Sequence, residues 1–165
     1  MGSLRSYVAG KLLWNPDRDN DKLMLEFAAG YYGMAAGPIL AYLRMVNEKG
    51  AQCHAGLYDQ PWETPYLDAD YQAKAEEYFR QARALADNDE VLRRVEKAYL
   101  SVEYVGIMNR LHSLTREEGT ALLNTFARKL RDHDIICIRE VGGEINEKTL
   151  DLNIKSLLDQ VYGKE

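Results

Sequence analysis

Apolar residues return at spacings of three and four along almost the whole chain, and this periodicity constrains the fold more than any other feature. The clearest case is Tyr71, Ala75, Tyr78, Ala82 and Leu85, after which Asp87-Asn88 breaks the stripe. It resumes as Val91, Val95, Ala98, Val102 and Val105. Such spacing places the side chains on one face of a helix with 3.6 residues per turn. A short polar break between two long stripes predicts an antiparallel helical hairpin. Asp68 is placed to cap the first of these helices, because its carboxylate can accept an orphan backbone N–H.

The remainder of the chain follows the same logic. Leu4, Tyr7, Val8 and Leu12 form a first stripe, which ends at Asn15-Pro16 because a residue before proline is disfavoured in the α region. A second helix is predicted to start between Pro16 and Asp21, to carry Leu23, Phe27, Ala28 and Tyr31, and to end at Gly33. A third carries Ala35, Ile39, Leu43 and Val46 and closes at Gly50. Thr115 with Glu118 forms a capping box opening a helix with Leu122, Leu123, Phe126, Ala127 and Leu130. The last helix carries Leu150, Ile154, Leu157, Leu158 and Val161. Residues 51–67, with Gly56, Pro61 and Pro65 among Tyr58, Trp62 and Tyr66, read as an aromatic loop. Ile135-Ile136-Cys137-Ile138 is the one β-like run, too short and partnerless to define a sheet. The predicted fold class is all-α: a helical bundle of about six or seven helices with an aromatic loop and at most one short strand. A chain of 165 residues is the size of one domain. It is expected over residues 4–165, with Met1-Gly2-Ser3 as an expression scar.

Charge narrows the range of partners. With 26 acids against 21 bases, the net charge is -5. The densest basic cluster is the helical pair Arg93-Arg94. This balance argues against a nucleic-acid or anionic-membrane surface. No apolar run approaches the roughly 20 residues of a membrane span. Two cysteines, Cys53 and Cys137, are too few for a disulfide framework, and two unpaired thiols are the simpler reading.

The chemistry-bearing residues do not assemble into a motif. Asp17, Asp19 and Asp21 alternate as acids do in calcium loops. The glycine such a loop needs is replaced by Lys22 and the distant bidentate acid by Ala28, so a helix start is the better reading. His54, His112 and His133 lack metal-ligand spacing. No nucleophile elbow, phosphate loop or dinucleotide fingerprint occurs. Glu63, Glu140 and Glu144 could be imagined as a glycosidase pair, yet such acids in a helical chain are usually on the surface. No catalytic residue, metal site or cofactor is therefore expected. Among the aromatic residues, Trp14 and Tyr31 are expected to pack between helices or domains. Trp62, Tyr58, Tyr66 and Tyr32 are candidates for contact with a carbohydrate or another domain. The first helix is apolar on more than one side, which makes Leu13 and Val8 candidates for weak self-association. The opening residues also fit a myristoylation pattern, but so short a match commonly arises by chance.

Several strings carry a resemblance. Residues 4–17 (LRSYVAGKLLWNPD) and residues 26–36 (EFAAGYYGMAA) are its most specific parts. Glu90–Val95, Tyr104-Val105 and the stretch from Ile138 through Gly142-Gly143 add to it. Together they resemble the C-terminal helical region of an uncharacterised bacterial family of carbohydrate-degrading proteins, similar to α-glucuronidases and β-hexosaminidases. The resemblance implies a catalytic barrel earlier in a parent chain, which would hold the catalytic acids, and a periplasmic or extracellular parent. On that basis the chain is expected to be an excised, non-catalytic accessory domain that supports the barrel and its assembly. A free-standing helical protein-interaction module is the alternative.

Overall fold

Several helices of the chain begin or end where a side chain or a special backbone conformation satisfies orphan peptide groups. The computed structural model describes residues 2–56, 59–138 and 145–163. Among these it contains seven α-helices: α1 (Gly2–Trp14), α2 (Asn20–Tyr32), α3 (Ala36–Ala51), α4 (Ala69–Leu85), α5 (Asp89–Leu111), α6 (Arg116–Asp132) and α7 (Thr149–Tyr162). Single 3-10 turns occupy Gly33–Ala35 and Pro61–Glu63. The fold class is all-α, and no strand occurs among the described residues.

The caps explain the boundaries. Asp19 accepts the Lys22 N–H at 3.1 Å and starts α2, which is why the alternating acids read as a helix start. Asp68 accepts the Tyr71 N–H at 2.7 Å and starts α4. Asn88 accepts the Val91 N–H at 2.9 Å at the head of α5. Thr115 and Glu118 form the expected reciprocal box on α6. Gly33, at φ 52°, ends α2 in a region that a side chain would strain.

The chain divides into two compact units, Met1–Val102 and Glu103–Glu165. In the first unit α1 packs on α2, α2 on α3 and α3 on α4. Its core includes Leu23, Ile39, Ala75, Phe79 and Val95, all fully buried. The Phe79 ring meets Tyr42 at 5.0 Å and Tyr99 at 5.4 Å, both edge-on, and so ties α4 to α3 and α5. Arg83 adds a bidentate pair with Glu96 between α4 and α5. In the second unit α6 packs on α7 around Leu123, Phe126, Leu150 and Leu157. The Tyr162 hydroxyl donates to the Leu111 carbonyl at 2.7 Å.

Three expectations need correction. The stripe on α4 was misread at one turn: Phe79 is fully buried, whereas Tyr78 is half-buried and Leu85 is exposed. Of the α1 stripe only Leu4 is buried, while Tyr7, Val8 and Leu12 are half-exposed, because α1 packs closely only on α2. Trp14 is no packing residue within its unit: at the last position of α1 it is 91% exposed. The β-like run at 135–138, where at most one short strand is predicted, forms none, in keeping with the all-α fold class. Asp134, at φ 58°, occupies the left-handed position after α6, and the Ile135 N–H donates to the Leu130 carbonyl at 2.9 Å. The Asp134 N–H donates to the Arg131 carbonyl at 3.0 Å. This is a Schellman ending, with Ile135 in the position whose apolar side chain accompanies it. The Ile138 N–H is then taken by the Asn153 side chain of α7 at 3.0 Å. The N–H groups of Ile135 and Ile138 are thus bonded to helices rather than to a neighbouring strand.

Candidate functional site

The feature that sets one part of the surface apart is what α1 shows to solvent. Its exposed residues are Gly2, Ser3, Arg5, Ser6, Ala9, Gly10, Leu13 and Trp14, with Arg5 the only charge among them. A helix whose outer face is solvated normally carries charges there. α4 does so, exposing Asp70, Lys74, Glu76, Glu77 and Arg80, several of them joined along the helix. Leu13 is 88% exposed and stands beside Trp14 at the end of α1. Both carry large apolar area that no described residue covers.

Gly10 gives this face a second property. It sits inside α1, where glycine costs about 1 kcal/mol relative to alanine. A β-carbon built on it meets nothing within 4 Å, as is also true of Gly30 in α2 and of Gly37 and Gly50 in α3, so no packing among the described residues requires glycine there. Gly119 in α6 is the opposite case: its β-carbon would fall 2.4 Å from the Tyr162 hydroxyl and 3.1 Å from Leu111 Cδ1. An unexplained helical glycine beside Ala9 and Ser6 is what close approach by an outside backbone would need.

α1 is held in place from one side. The Tyr7 hydroxyl donates to Glu26 Oε1 at 2.5 Å and Arg18 pairs with Glu26 Oε2 at 3.0 Å. Donation by Tyr7, with the nearby Arg18, holds the Glu26 carboxyl below its ordinary range, and the same bond to Glu26 raises Tyr7. The Tyr7 ring lies 5.4 Å from Phe27, which stacks on Tyr31 at 5.0 Å. Arg94 covers the other side of this row, 4.3 Å from the Tyr31 ring, and donates to the Tyr31 carbonyl at 2.9 Å. Tyr31 thus packs between helices as expected. On a further side of α1 an apolar groove of about 620 Å³ remains, walled by Leu4, Val8 and Leu12 of α1, Met24 of α2, and Leu43 and Val46 of α3.

The candidate aromatic residues separate. Tyr58 lies outside the described residues, as do Glu140 and Glu144. Tyr32, at 5% exposure, is a core residue set edge-on to Tyr31, and burial pushes its hydroxyl up to about 12. This corrects its placement among accessible contact residues: the last turn of α2 points it inward. Trp62 and Tyr66 share one loop and are both half-buried, Tyr66 meeting the Tyr71 ring edge-on at 6.4 Å. The loop is locally pinned. The Gln60 N–H donates to Glu63 Oε2 at 2.8 Å, and the buried Thr64 hydroxyl donates to the Gln60 carbonyl at 3.0 Å. Glu63 is thereby engaged as a cap. Cys53 and Cys137 are not joined in a disulfide, and each is half-buried. Among the described residues no cluster of His, Cys, Asp or Glu is arranged to hold a metal, and no described helix is long and apolar enough to cross a membrane.

Leu13, Val8 and the poorly polar side of α1 that includes Gly10 are visible in the sequence, whereas the groove is not. The signal for Gly10 was available, since a glycine in mid-helix asks for a reason. The groove depends on how three helices diverge, which no stripe reveals.

Residues 1–44 match the model of a family described as "Domain of unknown function (DUF4838)". The chain is similar to that family over α1, α2 and the first half of α3. No curated protein and no solved structure matches it. The matched segment holds Leu13, Trp14, Leu25 and Met34, the last two 55% and 67% exposed.

Proposed function

We propose that this chain is a non-catalytic helical accessory domain that docks through the outer face of α1 onto a separate domain. By the resemblance of residues 4–17 and 26–36, that domain would be the catalytic barrel of a glycoside-hydrolase-like parent. The chain would then support the barrel and its assembly in polysaccharide degradation, and Trp62 and Tyr66 would be the residues offered to a carbohydrate or to the barrel. The observation that carries the reading is the combination on α1: a charge-poor face, an uncovered Leu13-Trp14 pair, and a helical glycine with no internal purpose. Small residues permit close approach, and a buried aromatic anchor supplies most of the energy of a docked face. The match to the family covers this same part of the chain.

The experiment has two steps. The coding sequence flanking this segment is read, and any neighbouring domain is purified and titrated with the chain. Binding that weakens at least tenfold in Leu13→Lys and in Trp14→Lys, with both variants folded, is the expected result. A barrel that ignores the chain, or binding indifferent to both substitutions, would sink the reading. A second reading, a free-standing helical protein-interaction module, draws on the fact that the family match stops at residue 44. It predicts a coding sequence without a barrel and a partner encoded elsewhere.

A further inference from the structure

The groove beside α1 meets the outer face at Arg5 and Ala9 but does not include Leu13 or Trp14, and it calls for a different occupant. Its walls are aliphatic, from Val8 and Leu12 on one side to Met24, Leu43 and Val46 on the other. At about 620 Å³ it falls within the range of roughly 300–1,000 Å³ typical of small-molecule sites. Apolar walls with a few polar groups at the margin suit a ligand with a hydrocarbon body and one polar end. Tyr42 is the only aromatic residue of the lining, so the space favours a flexible alkyl chain over a flat ring.

The charge at the margin selects the polar end. Arg5 is the one ionisable side chain of the lining apart from the Tyr42 phenol. Among the described residues Arg5 has no hydrogen bond or ion pair, in contrast to Arg18, Arg83 and Arg94, which all hold carboxylates. A planar guanidinium matches a carboxylate in two-point geometry. We infer that the α1–α2–α3 groove binds a single-chain amphiphile with an anionic head, its alkyl chain lying between Val8 and Val46 and its carboxylate on Arg5.

Calorimetric titration of decanoate, below its micelle-forming concentration, into the full chain tests this. The inference expects saturable binding of one decanoate per chain. Decyltrimethylammonium, with the same chain and the opposite head, should bind about tenfold more weakly or less, the worth of a charge-assisted contact. Arg5→Gln should weaken decanoate by a similar factor. Val8→Asp or Leu43→Asp, whichever keeps the wild-type helical spectrum, should abolish it. Leu85→Lys, an exposed position on α4 away from the groove, should leave it unchanged. Absence of saturable binding, equal binding of the two head groups, or indifference to Arg5→Gln would overturn the inference. Leu13 and Trp14 do not line the groove, so the test of the outer face at those two positions is read separately from these outcomes.

Discussion

Helices α1 and α6 each carry an interior glycine, and the two glycines have opposite surroundings. Gly119 of α6 is buried, and the space a side chain would take is filled by Tyr162 and Leu111. Gly10 of α1 is exposed, and the corresponding space is empty. One glycine is explained by the packing of its own unit. The other lowers helix propensity with no packing against it among the described residues. The difference is that α6 is packed by its own unit at the glycine, whereas α1 leaves the corresponding space open, as the proposed docking would require. The rest of each helix agrees. α6 buries Leu123, Phe126, Ala127 and Leu130, whereas α1 buries Leu4 alone and leaves Leu13 and Trp14 in solvent.

The comparison is most easily broken by adding a methyl group to each glycine. Gly119→Ala should cost about 1–3 kcal/mol in urea unfolding, as overpacked sites do, because Tyr162 must give up its place and its bond to the Leu111 carbonyl. A neutral Gly119→Ala would show that the space around α6 is not committed. Gly10→Ala should act with the opposite sign and raise stability by roughly 0.5–1 kcal/mol through helix propensity. A loss on Gly10→Ala would mean that the chain itself needs the glycine, and the contrast would collapse.

Acid sharpens the comparison from another direction. The tether of α1 to α2 runs through Glu26, whose carboxyl is held low chiefly by the Tyr7 hydroxyl. A group with a lowered folded value contributes stability that is present above its unfolded value of about 4.3, and it is lost as pH falls through the folded value. Hydrogen exchange of α1 amides, corrected for intrinsic rates, should therefore accelerate below about pH 4.3 in wild type. The same acceleration should be absent in Glu26→Gln, which is already loosened at neutral pH. Exchange in α1 that ignores both pH and Glu26→Gln would show that the tether contributes nothing. The smallest effect is expected at Leu13. Because it is 88% exposed, Leu13→Lys should change the stability of the chain by less than about 0.5 kcal/mol. A loss of 2 kcal/mol or more in denaturant unfolding would place Leu13 in the core.

Much of the fold was legible in the sequence because its determinants are local. The Asp19, Asp68, Asn88 and Thr115 caps act within three residues, and the helices they start were readable from type and spacing. The misreadings arose where neighbours distant in sequence decide. Phe79 and Tyr78 are adjacent, and only the rings of Tyr42 and Tyr99 determine that Phe79 is the one turned inward. Ile135 looked like the start of a strand because its run is β-branched; the left-handed Asp134 that makes it a helix ending is a backbone event with no glycine to announce it. The candidate site was legible in part. Leu13 stood out as apolar on the wrong side of its stripe, while Tyr32, one residue from the half-buried Tyr31, proved to be core.

The central claim is that the outer face of α1 is an interface, and an interface left without its partner should associate with itself. The most direct measurement is sedimentation equilibrium of the chain, paired with tryptophan emission in a Trp62→Phe background that leaves Trp14 as the sole indole. The account predicts a weak, concentration-dependent association, a blue shift of Trp14 emission as concentration rises, and loss of both in Leu13→Lys. A chain that stays monomeric at every concentration, with Trp14 emission fixed at its water-exposed position and identical in Leu13→Lys, would contradict it.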